Sequence, residues 1–333
     1  MNLCAQLYRS FVAIYRRDGD IEDDSLTTDV AATIVHISVT DGHHMSYRDL
    51  FLRLLDGKPS TGPIRGRRFW KLVFARRIFF ATIDTDYAGF IAVALMRAVL
   101  LKPTVGLFLR PLQCFRTERT IIYPMKRRVF RWLCRLPKLR LFSIIPHDIH
   151  PELHEISHDW IHDPQMWDLW IDGQPDLPET DLSRRVEMER GDREVMIYIG
   201  AANGIKGFPE LVETAKTDSR KLLVVVAGSV PPNFRATASD LRAMGMIVED
   251  RYVSDDEILS LYRIADFAWC RYAPDYDQAS GVFGRAFQTG VMPVMRKGSF
   301  IEKLFVSRNA TSIPDILESD ITKIRGSLGN NQS

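Results

Sequence analysis

The second half of the chain alternates short apolar runs with amphipathic segments, and no other feature of the sequence constrains the fold as strongly. The runs "EVMIYIG", "KLLVVVAG", "MIVEDRYV" and "FAWCRY" have strand length, and segments of helical periodicity such as "GFPELVETAK" and "SDDEILSLYRIAD" lie between them. Ser254 and Glu257 have the spacing of a capping box, and Gly290 is expected to end the helix "SGVFGRAFQTG". Continuous apolar runs are typical of strands that are buried on both faces. This alternation predicts a parallel sheet covered by helices on both sides.

The first half predicts the same α/β architecture from weaker signals. Strands are expected at "ATIVHISVT", "IFFATID" and "TVGLFL", and helices at "YRDLFLRLL" and "FIAVALMRAVLL". Residues 2–16 also have helical spacing. Because 333 residues exceed the usual size of one hydrophobic core, we expect two domains of comparable size.

An acidic stretch with four prolines, residues 148–194, is typical of an interdomain crossover. We therefore predict an N-terminal domain over residues 1–184 and a C-terminal domain over residues 185–310. A C-terminal helix and a frayed tail are expected over residues 311–333.

The net charge of +2 conceals an uneven distribution of charge along the chain. Residues 48–140 contain 21 Lys and Arg against five Asp and Glu, whereas residues 148–194 contain 14 acidic residues against four Arg. The basic block should attract anions, whether lipid headgroups, phosphorylated ligands or nucleic acid. Because no recognised nucleic-acid module accompanies it, a nucleic-acid partner is not expected.

Cysteine usage and hydropathy favour a cytoplasmic protein that lies on a membrane without crossing it. The four cysteines lack metal-type spacing and nothing resembles a secretory signal. Charged residues interrupt the most apolar window, residues 78–101, which therefore fails as a membrane span. The segments "IRGRRFWKLVFARRIFF" and "MKRRVFRWLCRLPKLR" suit an anionic membrane surface. The alternative is an amphipathic helix packed on its own sheet with a wet basic face.

Two loops of the second half have the composition of an anion site. In "YIGAANGIKGF", Gly200 and Gly204 permit tight turns and Lys206 could neutralise a phosphate before a helix. The loop matches neither common phosphate-binding glycine pattern, so a plain strand-to-helix turn is the alternative. In "YDQASGVFGRAFQTGVMPV", Ser280 is a good helix cap and Gly281 lets main-chain N–H groups approach an anion such as a diphosphate. Simple helix capping by Ser280 is the alternative here.

In their order along the chain, these motifs resemble the donor-binding domain of GT-B glycosyltransferases. The matching elements lie between residues 195 and 300 and include "YIGAANGIKGFPELVETA", "VEDRYVSDDEILSLYRIADF" and the stretch from Tyr276 to Val294. The superfamily includes glycogen-synthase-like enzymes and many bacterial polysaccharide and lipopolysaccharide transferases. The resemblance implies two Rossmann-like domains with parallel sheets facing across a cleft. The donor-binding residues that it implies are Gly200, Asn203, Lys206, Gly207, Tyr252, Val253, Gln278, Ser280, Gly281 and Arg285.

One position departs from the commonest pattern of that superfamily, which has two glutamates eight positions apart. Asp277 and Arg285 occupy these positions here, with Ala286 following. Since the second glutamate usually binds the donor ribose, the arginine puts standard ribose recognition in doubt. Arg285 is expected either to contact phosphate or sugar or to face solvent.

The resemblance places the acceptor, and the groups near the transferred sugar, in the first half of the chain. Gly42 lies in the loop after the first strand, and His43 or His44 could bind sugar hydroxyls or act as a base. Asp84 and Asp86 follow another strand and are carboxylate candidates for base catalysis. The alternatives are surface or capping roles for the histidines and helix capping for the carboxylates.

A third segment, residues 147–168, holds five of the eight histidines among many acids, but no compact metal-ligand pair. We expect a hinge or cleft wall there, and neither a metal nor another cofactor. The sequence thus predicts a glycosyltransferase that uses a nucleotide-sugar donor and a saccharide or polyprenyl-linked saccharide acceptor. The alternatives are a sugar-nucleotide epimerase on the same fold and a non-catalytic, transferase-like subunit.

Overall fold

A computed structural model describes residues 32–40, 43–116, 122–278 and 280–329. These residues form two compact units. The first unit ends at Ile161 and takes up the chain again at Asp320, and the second comprises His162–Ser319. Residues 162–184, which the sequence assigned to the N-terminal domain, therefore belong to the second unit.

The first unit contains a six-stranded parallel sheet in the order β2-β1-β3-β4-β5-β6. Its strands are β1 (Thr33–Ile37), β2 (Lys58–Thr61), β3 (Arg77–Phe80), β4 (Thr104–Phe108), β5 (Leu139–Ser143) and β6 (Asp159–Trp160). The connecting helices are α1 (His43–Leu55), α2 (Gly66–Phe74), α3 (Tyr87–Val99) and α4 (Ile122–Leu133). Short 3-10 turns occupy Pro111–Phe115 and Pro151–Glu155.

The second unit contains a five-stranded parallel sheet in the order β11-β10-β7-β8-β9. Its strands are β7 (Glu194–Ile199), β8 (Leu222–Ala227), β9 (Ile247–Glu249), β10 (Phe267–Trp269) and β11 (Met292–Val294). Its helices are α5 (Asp181–Arg190), α6 (Phe208–Asp218), α7 (Arg235–Ala243), α8 (Asp255–Ile264), α9 (Gly281–Thr289) and α10 (Phe300–Arg308). A last helix, α11 (Ile313–Ser327), begins in this unit and ends in the first, where Lys323 Nζ donates to Trp160 O over 2.8 Å.

Local sequence signals account for these elements. Every residue of β8 is buried, as a central strand covered on both faces requires. Ser254 and Glu257 form the predicted capping box of α8, Ser280 caps α9, and Gly290 ends α9 with a φ of 75°. These features confirm the predicted α/β class and the parallel sheets.

Several predicted boundaries differ from the structure. The strand expected over residues 246–253 ends at Glu249, because the carboxylate of Asp250 turns to accept a hydrogen bond from Val230 N over 2.7 Å. The strands β2, β5 and β6 were not predicted. Two of them are edge strands of four and two residues, and Pro59 within β2 is tolerated only at an edge. The helix predicted at residues 2–16 lies outside the described residues.

A buried cation ties α2 to α3 in the first unit. Arg97 of α3 is fully buried, and its guanidinium donates to the carbonyl oxygens at the end of α2, including Leu72 O over 2.8 Å and Ala75 O over 2.7 Å. Its Nε donates to Thr104 Oγ1 over 2.8 Å. The cation therefore satisfies carbonyl groups at the negative end of a helix dipole. Among the helices that the structure describes, none is long and apolar enough to cross a membrane.

Candidate functional site

The loop after β7 brings an ammonium group against a glycine turn. Gly200 has a φ of 102°, and a Cβ atom placed on it would lie 2.6 Å from Lys206 Nζ. At the end of the neighbouring strand, a Cβ on Gly228 would lie 2.4 Å from Gly200 O. Only glycines therefore fit these two strand ends, and Lys206 lies directly over the turn.

Lys206 carries a charge without a counter-ion among the residues that the structure describes. Burial lowers the pKa of its ammonium group, since desolvation disfavours the charged form. Within the described ranges, no acceptor receives a hydrogen bond from Lys206 Nζ and no carboxylate forms an ion pair with it. A half-buried cation of this kind is suited to an anionic ligand.

The loop that carries Lys206 is fastened to the chain that follows β10. Asn203 Oδ1 accepts a hydrogen bond from Lys206 N over 2.7 Å, and Trp269 Nε1 donates to Lys206 O over 3.1 Å. Ala273 N donates to Ile205 O over 2.8 Å. Gly207 has a φ of 72°, and a Cβ on it would lie 2.2 Å from a backbone oxygen, Arg271 O. The position of Lys206 is thus set by several independent contacts.

The same chain leads into the partly exposed start of α9. Ser280 Oγ accepts from Phe283 N over 3.2 Å and lies 2.7 Å from the hydroxyl of Tyr272, the neighbour of Ala273. No described group accepts a hydrogen bond from the N–H groups of Gly281 or Val282. The Lys206 loop and the positive end of α9 are therefore joined through residues 272–273, and both offer donors to an anion.

Arg285 forms an ion pair that the sequence did not reveal. Its two terminal nitrogens contact the two oxygens of Asp168, with Nη2 and Oδ2 2.9 Å apart. Gln288 supports the pair, because its Nε2 donates to Asp168 Oδ1 over 2.8 Å. The two side chains are 24% and 20% exposed, so Arg285 binds Asp168 where contact with a ligand or with solvent alone was expected.

The segment around Asp168 packs along the first two turns of α9. A Cβ on Gly284 would lie 2.2 Å from Gln165 O, and one on Gly281 would lie 2.9 Å from Gln165 Oε1. Gln288 also holds this segment, donating to Gln165 O over 2.7 Å and accepting from Leu169 N over 2.9 Å. These contacts explain why the segment belongs to the second unit, and they bring the Gln165 side chain to the start of α9.

Asp277, the other acidic position of the family pattern, is held within the protein. Its Oδ2 accepts from Arg296 Nη2 over 3.0 Å and from Phe300 N over 2.7 Å. Gln278 beside it is partly exposed. Asp277 therefore fixes the loop before α9 rather than presenting a free carboxylate.

After β9, Tyr252 and Val253 have opposite environments. Val253 is buried, whereas Tyr252 is 85% exposed with its ring in solvent. Arg251 pairs with Glu249 and Glu257, which orders the backbone beneath the ring. Tyr252 is thus the group at this strand end that is free to stack on a planar ligand.

In the first unit, Asp84 and Asp86 lie at the end of β3 and both are hydrogen-bonded. Asp84 accepts from Leu109 N over 2.7 Å, from Arg110 N over 3.1 Å and from the hydroxyls of Thr82 and Tyr87. Burial raises the pKa of Asp84 while these donors oppose the shift. Asp86 caps α3 through Gly89 N at 2.9 Å and also accepts from Ile64 N at 3.1 Å.

The histidine candidates lie at the same edge of the sheet, because α1 begins at His43 after β1 and β1 pairs with β3. The side chains of His43 and His44, and the whole of Gly42, lie outside what the structure describes. Between Asp84 and Asp86, Thr85 Oγ1 is buried without a hydrogen-bond partner in the described part of the chain. This orphaned hydroxyl was not singled out from sequence.

The histidine-rich segment resolves into hydrogen-bonded turns. His147 Nε2 lies 2.9 Å from Ser157 Oγ, and the His147 and His154 rings are 4.1 Å apart. Burial lowers the pKa of His147 to about 4. Among the described residues, no three His, Cys, Asp or Glu side chains are grouped so that they could hold a metal ion.

Comparison with known proteins identifies the fold. No protein-family model and no curated sequence matches the chain. Among solved structures, Anabaena HepE in complex with UDP is 11% identical, with a TM-score of 0.54 over 90% of this chain and 97% of that one. Staphylococcus aureus MnaA with UDP is 9% identical, with a TM-score of 0.50 over 90% and 91%. A candidate UDP-N-acetylglucosamine 2-epimerase from Listeria monocytogenes is 12% identical, with a TM-score of 0.50 over 90% of both chains.

The chain is a two-domain α/β protein with the GT-B fold of glycosyltransferases, as the sequence motifs predicted. At these identities the comparisons establish the fold alone. The roles of the donor-binding and catalytic residues stay predictions. Sequence reasoning missed Gln165 and Asp168, because they lie far from α9 along the chain and carry no local motif.

Proposed function

We propose that the protein is a glycosyltransferase that moves a hexosyl group from a nucleotide-sugar donor to a hydroxyl group of an acceptor. The acceptor is a saccharide or a lipid-linked saccharide in the synthesis of a bacterial exopolysaccharide. The reaction takes place in the cytoplasm, at the inner face of the plasma membrane.

One observation carries this proposal: Lys206, whose ammonium group has no partner among the described residues, lies in a loop that Tyr272 and Ala273 join to the start of α9. A nucleoside diphosphate leaves such a donor with negative charge developing on its phosphate oxygens. A fixed cation and main-chain N–H groups that need no reorganisation stabilise that charge more in the transition state than in the ground state. Because protein groups supply this stabilisation, the proposed reaction is independent of a metal ion.

The remaining contacts to the donor follow from the same placement. Tyr252 stacks on the nucleotide base, and Asn203 and Gly207 hold the phosphate-binding loop in place. Gln165, whose side chain lies against Gly281, meets the donor near the diphosphate. HepE and MnaA have each been solved with UDP, which supports a uridine donor as the first to test.

For the base that accepts the proton of the acceptor hydroxyl, the better candidates are His43 and His44. Four donors occupy Asp84, and two main-chain N–H groups occupy Asp86, so both carboxylates are engaged in holding the protein's own backbone. Imidazole titrates near neutrality and can accept a proton at physiological pH. Substituting His43 and His44 singly by Asn should lower kcat while leaving donor binding intact.

The proposal is tested in two steps on the full chain. A thermal-shift screen of uridine, guanosine, adenosine and thymidine diphosphates should find one that raises the unfolding temperature. Labelled sugar from the matching nucleotide sugar should then appear on a saccharide acceptor or in water. Absence of both binding and turnover with every compound would refute the proposal.

A sugar-nucleotide epimerase is the second candidate, favoured by the two UDP-related structures that match over nine-tenths of the chain. It predicts a change of sugar configuration in the absence of any acceptor. Product analysis without acceptor therefore separates the two enzymes. A non-catalytic subunit would bind nucleotide without turnover and would purify with a partner.

A further inference from the structure

The outer face of α3 carries no charged side chain. Its exposed positions, continuing into the turn that follows, are all apolar: Ala88, Ala92, Met96, Val99 and Leu101. Val99 is 80% exposed and Leu101 63%. The one cation of the helix, Arg97, is buried against α2. Helices at a protein surface normally present polar residues to water, so this face is built to be covered.

Helix α4 adds a second apolar row with unpaired cations beside it. Ile122, Met125 and Trp132 are each about half exposed and recur at helical spacing. Arg128 lies one turn before Trp132, and Arg135 lies in the turn that follows the helix; both are exposed and have no acidic partner among the residues described. By contrast, Arg127 and Arg131 on the neighbouring side of the helix both pair with Glu155. Of these four arginines, the two nearest Trp132 on the apolar side are therefore without a counter-ion in the described part of the chain.

The helices α2, α3 and α4 lie side by side. Successive strands β3, β4 and β5 are neighbours in the sheet, and right-handed crossovers place the helices between them on one face. Direct contacts agree, since the rings of Tyr87 and Phe130 are 5.6 Å apart across α3 and α4, and Arg97 joins α3 to α2. On the other side, α2 exposes Arg67 and Lys71. An apolar helix thus lies between two basic ones.

We propose that this three-helix face, defined by the exposed residues of α2, α3 and α4, docks on an anionic phospholipid bilayer. Cations on both sides of an apolar row complement a negatively charged membrane surface. A tryptophan beside the cations suits the headgroup region of the bilayer. The α3 row enters the interface while the guanidinium and ammonium groups meet headgroups. The inference rests on the proposed function, because the lipid-linked acceptor gives the protein a reason to dock on a membrane. The binding itself requires no donor.

The test is co-sedimentation of the full-length protein with vesicles of phosphatidylcholine, alone and mixed with an equal part of phosphatidylglycerol. Binding is expected with the mixed vesicles and is expected to weaken as salt is raised. The double variant Arg128→Ala/Arg135→Ala should bind about 30-fold more weakly, from about 1 kcal/mol per cation at the surface and a factor of ten per 1.4 kcal/mol. Val99→Glu on α3 should weaken binding about tenfold or more, because an apolar side chain no longer enters the interface.

A matched control removes two exposed cations from the other unit, Arg220→Ala/Arg235→Ala, and should bind like the wild type. Equal losses in the control and the α4 variant, or binding that Val99→Glu leaves unchanged, would overturn the assignment. So would a dimer in solution that Val99→Glu dissociates, since a second copy would then cover α3. Nucleotide binding and transfer to a soluble acceptor are measured on the same variants without vesicles. If these persist while vesicle binding is absent, the docking face fails and the proposed function stands.

Discussion

Replacing Lys206 by methionine should move stability and ligand binding in opposite directions. The ammonium group lies over the Gly200 turn, burial lowers its pKa, and no described acceptor pairs with it. A desolvated cation without a partner destabilises the folded state, and the methionine side chain has a similar length. The free energy of unfolding of the ligand-free protein is therefore expected to rise.

The sign of this effect follows from proton linkage. A lysine whose pKa is lower in the folded state than in the unfolded one binds its proton less tightly when folded. The destabilisation is complete at pH values below the folded pKa, and it disappears as the pH rises through the folded pKa toward the unfolded one. The wild type should accordingly approach the stability of the Lys206→Met variant at alkaline pH.

Binding of the nucleoside diphosphate should weaken in the same variant. A hydrogen bond from a charged donor contributes about 1.5–3 kcal/mol, which corresponds to roughly a 10- to 150-fold increase in Kd. Isothermal titration with the diphosphate that the wild type binds measures this loss, and urea unfolding without ligand measures the stability. The wild-type affinity should also fall as the pH rises through the lowered pKa of Lys206, whereas the affinity of the variant should not.

Lys216 provides the matched control, since it is exposed on α6 and pairs with Glu213 on the surface. Lys216→Met should change neither quantity by more than a few tenths of a kcal/mol. A Lys206→Met variant that is less stable without ligand, and that binds the diphosphate as tightly as the wild type, would refute the reasoning.

Three further predictions concern charged or titratable side chains inside one unit or the other. Asp168→Asn should lower the free energy of unfolding by about 1–2 kcal/mol, and Arg285→Glu should lower it further. The exchange Asp168→Arg/Arg285→Glu should recover part of the loss. A double-mutant cycle by urea unfolding that finds no coupling energy between the two residues would contradict the ion pair. Arg97→Met leaves several buried carbonyl groups without donors and should cost about 3 kcal/mol or more, with Arg97→Lys costing less; a melting temperature equal to the wild type would contradict this. Burial lowers the pKa of His36 from 6.5 to about 4, so the contribution of His36 to stability should be constant above pH 6.5 and fall by about 3 kcal/mol as the pH drops to 4. In the His36→Gln variant, the free energy of unfolding measured over the same pH range should lack this decrease.

The features that the sequence predicted are those with a local physical cause. Ser254 and Ser280 cap helices because their hydroxyls reach a main-chain N–H three residues later, and Gly290 ends α9 because it tolerates a positive φ. Buried strands are equally local, since a run such as that of β8 is apolar throughout. The short edge strands β2 and β6 lack such a signal and were missed.

The arrangement around the candidate site depends on contacts between distant parts of the chain. Asp168 and Arg285 are 117 residues apart, and Asp277 reaches Phe300 N through a loop that no motif marks. Equally, the sequence contains Lys206 in a glycine loop but does not say whether a carboxylate pairs with it. That information requires the fold, because desolvation and ion pairing are properties of the neighbours in space.

The departure at position 285 bears on function through its place in the fold. The arginine stands where the family pattern has an acid, and the same residue attaches the segment around Asp168 to α9. Tethering this segment accounts for the arginine, so its presence does not by itself indicate a site that has lost its ligand. The protein groups proposed to bind the diphosphate are Lys206 and the start of α9, and Arg285 is not among them. The choice between a working transferase and a non-catalytic relative therefore depends on whether a bound donor is turned over, and no longer on the identity of residue 285.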